Sequence, residues 1–240
     1  MSTVALAMLC KTPCAGGSKT RLSPPLSPQE CAALSACFIR DVAATADSLP
    51  DAAGIVPYAV CTPAGSEAEL RALLPGRFQL LPQREGDLGA RMAAAISDLL
   101  ALGHAGVVLI GADSPTLPAS ILRDAAEAVR HGDRAVIAPA LDGGYLLIGL
   151  SRPYPGLFHG ISWSTSTVYA ATLERARTLG LPVTSLPGWY DVDDEASLRL
   201  LEAELRGVPP PCAAAGVTGS DAPATRRFLA SLRAAAASGA

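Results

Sequence analysis

The strongest constraint on the fold of this chain is a regular alternation of short apolar runs with longer amphipathic segments. The first run, Val4–Leu9, is continuously apolar, which is typical of a strand buried on both faces of a parallel sheet. Ser27-Pro28-Gln29-Glu30 follows and supplies an N-cap, a proline at the first helical position and the glutamate of a capping box. A helix is therefore predicted from this box to about Asp47.

The same alternation continues to about residue 205. Further strands are predicted over Ile55–Cys61, Phe78–Leu81, Val107–Ile110, Ala135–Ala138, Tyr145–Gly149 and Val183–Leu186. Helices are predicted over Ser66–Leu74, Leu88–Leu102, Pro118–His131, Ser164–Leu179 and Glu195–Leu205. This order predicts an α/β fold with a single domain and a mainly parallel, doubly wound sheet. Ligands of such sheets bind beyond the carboxyl ends of the strands, so the loops after strands are the candidate sites.

The composition supports one folded domain followed by a short tail. Residues 1–206 are predicted to form the domain, 207–222 a loose linker rich in Pro, Ala and Gly, and 223–240 a helical tail. The net charge of −3 and the lack of a basic stripe argue against a nucleic-acid partner. No stretch approaches the length of a membrane span, so no membrane partner is expected.

The N-terminal run and the cysteines favour a cytoplasmic protein. Val4–Leu9 lacks a preceding basic region and reads as a strand, not as a signal peptide. The six cysteines have no C-x-x-C spacing and no nearby histidines, which argues against zinc and favours reduced, buried thiols. The histidines are scattered and receive no catalytic role.

The loop after the first strand carries the chain's two lysines among nineteen basic residues, Lys11 and Lys19. Its glycines, Gly16 and Gly17, allow backbone amides to approach an anion closely. With Ser18, Lys19 and Arg21, they predict a phosphate-binding loop. The loop lacks the G-x-x-x-x-G-K-[ST] pattern of a P-loop. A solvated turn is the alternative interpretation.

Two further loops carry acidic residues. Asp113, after the Val107–Ile110 strand, could hold a metal over bound phosphates, although Asp113-Ser114-Pro115 also suits a plain Asx-turn. Alternation along an extended segment would place Asp191 and Asp193 on one side, suited to sharing a cation. Asp194 is predicted to cap the following helix.

Two other segments are candidates for ligand contacts. The glycines of Asp142-Gly143-Gly144-Tyr145 allow close backbone approach, so Asp142 or Tyr145 could face a substrate, and Trp163 could join them in an acceptor pocket. In Gly86-Asp87-Leu88-Gly89-Ala90-Arg91, Asp87 is interpreted as a helix cap, and Arg91 could reach a phosphate or a base. Each motif is weak alone and also occurs as an ordinary turn.

The motifs taken in this order resemble a bacterial family. These motifs are Lys11-x-Pro, Gly-x-x-Lys19-Thr-Arg-Leu, Gly111-x-Asp-Ser-Pro, Asp142-Gly-Gly-Tyr, Trp163-Ser and Asp191-Val-Asp. They are similar to the motifs of the GT-A-like rSAM/selenodomain-associated transferases, which are also labelled arsenosugar-type glycosyltransferases. The resemblance covers about residues 3–205 and extends to the 2-phospho-lactate and molybdenum-cofactor guanylyltransferases. A glycosyltransferase-type D-x-D is absent, and Gly111-Ala112-Asp113 stands in its place.

This resemblance implies the nucleotide-diphospho-sugar transferase fold, a divalent cofactor (Mg²⁺ or Mn²⁺) and specific roles for the site residues. Lys19, Arg21 and Asp113 would be catalytic, with Lys19 and Arg21 on phosphates. Asp113 would bind the metal, with Asp191 or Asp193 as a second contact.

Two reactions are compatible with these motifs. The favoured one is nucleotidyl transfer from a nucleoside triphosphate to a small phosphorylated acceptor, with release of pyrophosphate, because Lys19 and Arg21 together suit a triphosphate. The alternative is glycosyl transfer from a nucleoside-diphosphate sugar to a small-molecule acceptor. A degenerate nucleotide-binding protein without turnover ranks third. The base, the acceptor and the oligomeric state are not predicted.

Overall fold

The structure is a computed structural model that describes residues 2–49 and 54–238. Its strands are β1 (Val4–Lys11), β2 (Ile55–Thr62), β3 (Gln79–Pro82), β4 (Gly106–Gly111), β5 (Ala135–Pro139), β6 (Tyr145–Leu150) and β7 (Val183–Ser185). Its helices are α1 (Pro28–Asp47), α2 (Glu67–Arg71), α3 (Leu88–Ala101), α4 (Ala119–Arg130), α5 (Val168–Thr178), α6 (Glu195–Glu204) and α7 (Pro223–Ser238). Short 3₁₀ turns lie at Thr20–Leu22 and Pro155–Phe158.

The strands form one seven-stranded sheet in the order β3-β2-β1-β4-β6-β5-β7. All neighbouring pairs are parallel except those that include β6, which runs antiparallel to both β4 and β5. Only residues 140–144 connect β5 to β6, and so short a connection cannot cross over to a parallel neighbour. The predicted single-domain, mainly parallel α/β fold is confirmed.

Helices cover both faces of the sheet and bury two apolar cores. Alternate side chains of β1 point to opposite faces, because Val4, Leu6 and Met8 belong to one core whereas Ala5 and Ala7 belong to the other. The first core includes apolar residues of α1, α4, α6 and α7, and the second those of α3 and α5. Burial on both faces explains why β1 is continuously apolar.

Several boundaries follow the predicted caps, and two helices are shorter than expected. Ser27 and Glu30 form the predicted capping box of α1, and Asp194 caps α6 by accepting a hydrogen bond from the Ser197 amide at 2.8 Å. α2 ends at Arg71, short of the predicted Leu74. α5 begins at Val168 rather than Ser164, because Ser164 has a left-handed φ of 62° that interrupts the helix.

The C-terminal segment lies against the sheet domain. The Ser220 amide and hydroxyl donate hydrogen bonds to the carbonyl oxygens of Thr116 (2.9 Å) and Leu117 (2.8 Å). The buried carboxylate of Asp41 accepts hydrogen bonds from the amides of Ala224 and Thr225 at 2.9 and 2.7 Å, which satisfies donors at the start of α7. These contacts anchor the C-terminal end of the irregular segment that precedes α7.

Within the part of the chain that the structure describes, no helix is long and apolar enough to cross a membrane. The six cysteines are free thiols. Burial raises the pKa of Cys10, beside the candidate site, to about 12, so this thiol stays protonated and unreactive at neutral pH.

Candidate functional site

The candidate site lies where β1 and β4 end side by side in the sheet. The strand order reverses between these two neighbours, and an open α/β sheet has its ligand crevice at such a point. The loop after β1 carries Lys19, and the loop after β4 carries Asp113. The β5–β6 hairpin brings Asp142, and the segment before α6 brings Asp193. Four loops that are distant in sequence therefore converge on one edge of the sheet.

Two adjoining cavities open at this edge. Cavity A has a volume of about 390 Å³ and is lined by Leu9, Cys10, Lys11, Gly17, Ser18, Lys19, Thr20, Arg21, Ser35, Ile39, Ala112, Asp113, Asp142, Ser164 and Asp193. Cavity B has a volume of about 310 Å³ and is lined by Leu9, Leu88, Met92, Leu109, Ile110, Gly111, Ala112, Asp113, Asp142, Gly144, Tyr145, Leu146, Ile148, Trp163, Ser164, Thr165, Val168, Asp191 and Asp193. Both cavities are lined by the same four polar residues, Asp113, Asp142, Ser164 and Asp193.

The two cavities differ sharply in charge. Cavity A contains the basic side chains of Lys11, Lys19 and Arg21. Among the described residues that line cavity B there is no Lys, Arg or His, whereas four are aspartates and most of the others are apolar or aromatic. Anionic groups such as phosphates therefore have counter-charges in cavity A only.

Lys19 is paired with carboxylates in the floor of cavity A. Its Nζ lies 2.8 Å from Asp113 Oδ1 and 2.8 Å from Asp193 Oδ1, and it donates a hydrogen bond to the Val192 carbonyl oxygen at 2.7 Å. The side chain is only 6% exposed. These partners differ from the phosphate oxygens that the sequence predicted for Lys19.

Two backbone amides of the predicted phosphate-binding loop have partners within the loop itself. The amides of Gly17 and Ser18 both donate to the Cys14 carbonyl oxygen at 3.1 Å and so close a turn, although both residues line cavity A. Gly16 has a φ of +74° and does not line either cavity. Glycines alone could not reveal this, because the same pair suits a tight turn and an anion site equally.

Lys11 and Arg21 remain as cations at the mouth of cavity A. Lys11 is exposed and donates a hydrogen bond to the Gly17 carbonyl oxygen at 3.1 Å. Arg21 is exposed, and within residues 2–49 and 54–238 its guanidinium has no hydrogen-bond partner. It lies close enough to Asp194 to help lower the pKa of that carboxyl, after the larger effect of the hydrogen bonds from Ser197.

Asp87 and Arg91, which the sequence offered as possible phosphate ligands, line neither cavity. Asp87 Oδ1 accepts a hydrogen bond from the Ala90 amide at 2.8 Å and caps α3, as its cap interpretation predicted. Arg91 donates a hydrogen bond to Gln83 Oε1 at 3.0 Å. Both therefore make local contacts around the start of α3.

The predicted acceptor residues come together in cavity B. Asp142, Gly144, Tyr145 and Trp163 line it, whereas Gly143 is not part of its lining. Burial raises the pKa of Tyr145 well above its usual range, so its phenol is a hydrogen-bond donor at neutral pH. A Cβ on Gly89 would lie 2.8 Å from the Trp163 ring. Close packing against α3 therefore positions the Trp163 indole.

The structure brings two of the predicted metal ligands, Asp113 and Asp193, together around one ammonium, and Asp191 lines cavity B with them. Among the residues that the structure describes, no group of three or more His, Cys, Asp or Glu side chains is arranged to hold a metal. However, three oxygens, from Asp113, Asp193 and the Val192 carbonyl, already surround one cationic nitrogen at 2.7–2.8 Å. Mg²⁺ commonly uses only one or two protein carboxylates, with water and substrate as further ligands, so the Asp113 and Asp193 carboxylates fit it through the oxygens that Lys19 does not bind.

Comparison with known proteins supports the fold at this site. Residues 45–165, about half of the chain, match the model of the family described as "Uncharacterized protein conserved in bacteria (DUF2064)". The chain belongs to this family. No curated protein sequence matches the chain.

Solved structures place this DUF2064 chain in the nucleotide-diphospho-sugar transferase fold. It is similar to a protein from Desulfovibrio desulfuricans G20 named "putative nucleotide-diphospho-sugar transferase", with 29% identity, a TM-score of 0.82 and coverage of 98% of this chain and 96% of that one. A CMP:2-keto-3-deoxy-manno-octonic acid synthetase complexed with CTP shares the fold at 12% identity and a TM-score of 0.53, covering 85% and 99%. A cytidylyltransferase from Leptospira borgpetersenii does so at 9% identity and 0.51, covering 99% and 96%.

Sequence reasoning missed several residues of this DUF2064 site. Ser35 and Ile39 line cavity A from α1, and Leu88 and Met92 line cavity B from α3. They lie on helix faces next to the site, and their spacing is that of ordinary core residues. Ser164 lines both cavities, and the quoted Trp163-Ser pair was its only signal.

The ionised form of the Asp191 carboxyl is disfavoured in this site. Burial, followed by the charges of Asp193 and Asp142, raises the pKa of Asp191 to about 6. Ionisation is therefore harder in the folded state than in the unfolded chain, where the pKa is near 3.8. The folded state loses stability as the pH rises from about 4 through 6.

We therefore expect Asp191→Asn to stabilise the metal-free protein at pH 7.5. A two-unit shift corresponds to about 3 kcal/mol, and partial solvent exposure should reduce the gain to about 1–2 kcal/mol. Urea unfolding in EDTA at pH 4 and pH 7.5 measures the effect, with the exposed carboxylate variant Asp221→Asn as the matched control. The gain should vanish at pH 4, and an equal gain at both pH values would contradict the electrostatic cause.

Proposed function

We propose that this chain is a metal-dependent transferase that holds the phosphates of a nucleotide in cavity A and the group to be transferred, or its acceptor, in cavity B. The observation that carries this proposal is that the basic residues line only one of two adjoining cavities, whereas Asp113, Asp142 and Asp193 line both. Lys11 and Arg21 provide accessible positive charge on one side, and the described lining of the other side has none. Phosphate oxygens would be bound on the basic side by charge-assisted hydrogen bonds.

The carboxylates between the cavities are the proposed metal ligands. Asp113 and Asp193 line both cavities, so a divalent cation held there would stand between the nucleotide phosphates and the reacting group. Such a cation, when bound, stabilises negative charge on the departing phosphate. Arg21 and Lys11 would bind the outer phosphate oxygens, and the apolar walls of cavity B would exclude water from the reacting centre.

Glycosyl transfer from a nucleoside-diphosphate sugar is the reaction that this geometry supports best. The argument for a triphosphate depended on Lys19 as a free phosphate ligand, and its ammonium is occupied by two carboxylates. A sugar is neutral, its hydroxyls can donate to carboxylates such as Asp142, and its apolar face can pack on an aromatic ring such as Trp163. Cavity B offers both kinds of contact.

Nucleotidyl transfer is the second candidate. The Arg21 guanidinium and the 390 Å³ of cavity A also suit a nucleoside triphosphate, and synthetases that use the same fold include one complexed with CTP. In that reaction the acceptor phosphate would attack the α-phosphate and release pyrophosphate. A phosphorylated acceptor, however, finds no basic partner among the described residues of cavity B, which ranks this reaction second.

A thermal-shift screen tests the proposal and separates the two reactions. Nucleoside triphosphates and nucleoside-diphosphate sugars would be added separately, each with and without Mg²⁺, to the wild-type protein, to Arg21→Met and to the surface control Arg123→Met. A ligand at a hundredfold excess over its Kd stabilises the native state by about 2.7 kcal/mol. Selective, Mg²⁺-dependent stabilisation by a sugar nucleotide, lost only in Arg21→Met, is the expected result.

Three other outcomes of the screen would change or contradict the proposed function. Stabilisation by one triphosphate alone would make nucleotidyl transfer the function. Binding of a nucleotide without turnover of any donor would indicate a degenerate nucleotide-binding protein. No response to either ligand class would contradict the proposed function as a whole.

A further inference from the structure

Lys19 is a buried cation with every donor used. Its Nζ donates hydrogen bonds to Asp193 Oδ1 and the Val192 carbonyl oxygen and forms an ion pair with Asp113 Oδ1, all within 2.8 Å. Its ammonium also lies 5.6 Å from the centre of the Phe38 ring. Burial lowers the pKa of Lys19, but the two carboxylates outweigh burial and raise it above its ordinary value. An ammonium with three partners has no donor left for a phosphate oxygen.

The backbone at Lys19 supports a fixed position for this side chain. Lys19 has φ 50° and ψ 39°, the left-handed conformation, which costs a non-glycine residue roughly 1–2 kcal/mol. Its carbonyl oxygen accepts a hydrogen bond from the Leu22 amide at 2.9 Å and so closes the 3₁₀ turn. Strain of this kind persists only where the surrounding contacts determine it, and it is frequent at functional sites.

The two carboxylates that bind Lys19 line both cavities. The side chains of Asp113 and Asp193 are 46% and 49% exposed, in contrast to 6% for Lys19. Within residues 2–49 and 54–238, Oδ2 of neither aspartate has a hydrogen-bond or ion-pair partner. The ammonium is therefore enclosed, whereas the two carboxylates that bind it remain accessible from both cavities.

We propose that Lys19 is a positioning residue, not a phosphate ligand: it binds one oxygen of Asp113 and one of Asp193 and so leaves their other oxygens for a divalent cation. This inference rests on the proposed function, because that function requires the cation. It assigns the donor phosphates to Arg21 and Lys11. It also explains how carboxylates from two distant loops are held together despite their mutual repulsion.

The first test separates a positioning role from a phosphate-binding role. Binding of a nucleoside diphosphate would be measured by calorimetry in EDTA, so that no metal contributes. We expect Lys19→Met to leave this metal-free Kd within about threefold of wild type, and Arg21→Met to raise it about tenfold through loss of a charge-assisted hydrogen bond. Circular dichroism would confirm that both variants are folded.

The second test measures the cation directly. Free Mn²⁺ would be titrated into nucleotide-free protein and followed by electron paramagnetic resonance. Lys19→Arg keeps the charge, but its larger planar guanidinium cannot occupy the same enclosed position between two carboxylates. We expect it to weaken Mn²⁺ binding by about 10–100-fold, the usual effect of losing the group that orients a metal ligand. Arg123→Lys, an exposed exchange of the same two residue types, is the control.

Two results would overturn the inference while leaving the proposed function intact. One is a loss of metal-free nucleotide affinity in Lys19→Met as large as in Arg21→Met, because Lys19 would then bind phosphate. The other is unchanged Mn²⁺ affinity in a folded Lys19→Arg protein. A wild-type protein that binds neither nucleotide nor Mn²⁺ would instead contradict the proposed function, and this inference with it.

Discussion

Replacing Asp113 with asparagine should reduce metal-dependent turnover about 10³-fold, since loss of a cation that stabilises the departing phosphate removes about 4 kcal/mol of transition-state stabilisation. The fold should survive, because the asparagine oxygen can still accept a hydrogen bond from Lys19, which also keeps Asp193 and the Val192 carbonyl oxygen. Turnover of the donor found by the ligand screen, measured over a range of Mg²⁺ concentrations, gives the result.

Asp124→Asn is the matched control for this variant. Asp124 is an exposed aspartate on α4 that pairs only with its neighbour Arg123 among the described residues, so its loss should leave both turnover and stability near wild type. Near-wild-type turnover in Asp113→Asn would remove Asp113 from the metal site. A decrease in turnover together with loss of the folded state would instead assign Asp113 a structural role.

Gly143→Ala should give the largest loss of stability of any single methyl addition at the site. Gly143 has a φ of +91°, and a Cβ at this position would lie 2.1 Å from the Ser166 carbonyl oxygen. That oxygen belongs to the backbone, so it cannot move away as a side chain could. The left-handed φ costs about 1 kcal/mol and the overlap about 1–3 kcal/mol more, for a total of about 3 kcal/mol.

The chain provides a closely matched control in Gly65. Its φ is +90°, and a Cβ there would meet nothing within 4 Å, so Gly65→Ala isolates the backbone cost of about 1 kcal/mol. Urea unfolding of both variants measures the difference. Equal losses would show that the Ser166 backbone adapts to the added methyl group.

Gly143→Ala should also affect the site. The Tyr169 amide donates a hydrogen bond to the Gly143 carbonyl oxygen at 2.9 Å, which ties the β5–β6 hairpin to the start of α5. A shift of the Ser166 backbone would move Thr165 and Val168, which line cavity B. We therefore expect weaker binding of whichever substrate occupies that cavity, with little change in metal-free nucleotide binding.

The local sequence determined the secondary structure of this protein because its signals are local. The capping box at Ser27 and Glu30 and the cap at Asp194 are each completed within three residues, and the structure forms both. Continuous apolar runs predicted strands buried on two faces, and β1 and β4 are buried in this way. The same patterns identified the loops after β1 and β4 that carry Lys11, Lys19 and Asp113.

The direction of β6 could also be inferred from the sequence, since only five residues link it to β5. The apolar pattern of Tyr145–Leu150 did not reveal its direction, because parallel and antiparallel strands have the same side-chain period. The link length was the usable signal. Its consequence is that Tyr145, at the start of β6, lies at the same edge of the sheet as the end of β4.

The sequence did not predict which charged side chains of the site pair with one another. Lys19, Asp113 and Asp193 come from loops about 80 to 170 residues apart, and nothing in their local patterns indicates that one ammonium serves both carboxylates. A lysine beside glycines has the same appearance in sequence whether it binds phosphate or an internal aspartate. The sequence by itself therefore determined the fold class and the loops that carry the site. Only the tertiary structure decided which charges neutralise one another and which remain for a ligand, because electrostatic pairing depends on distance in space and not on separation along the chain.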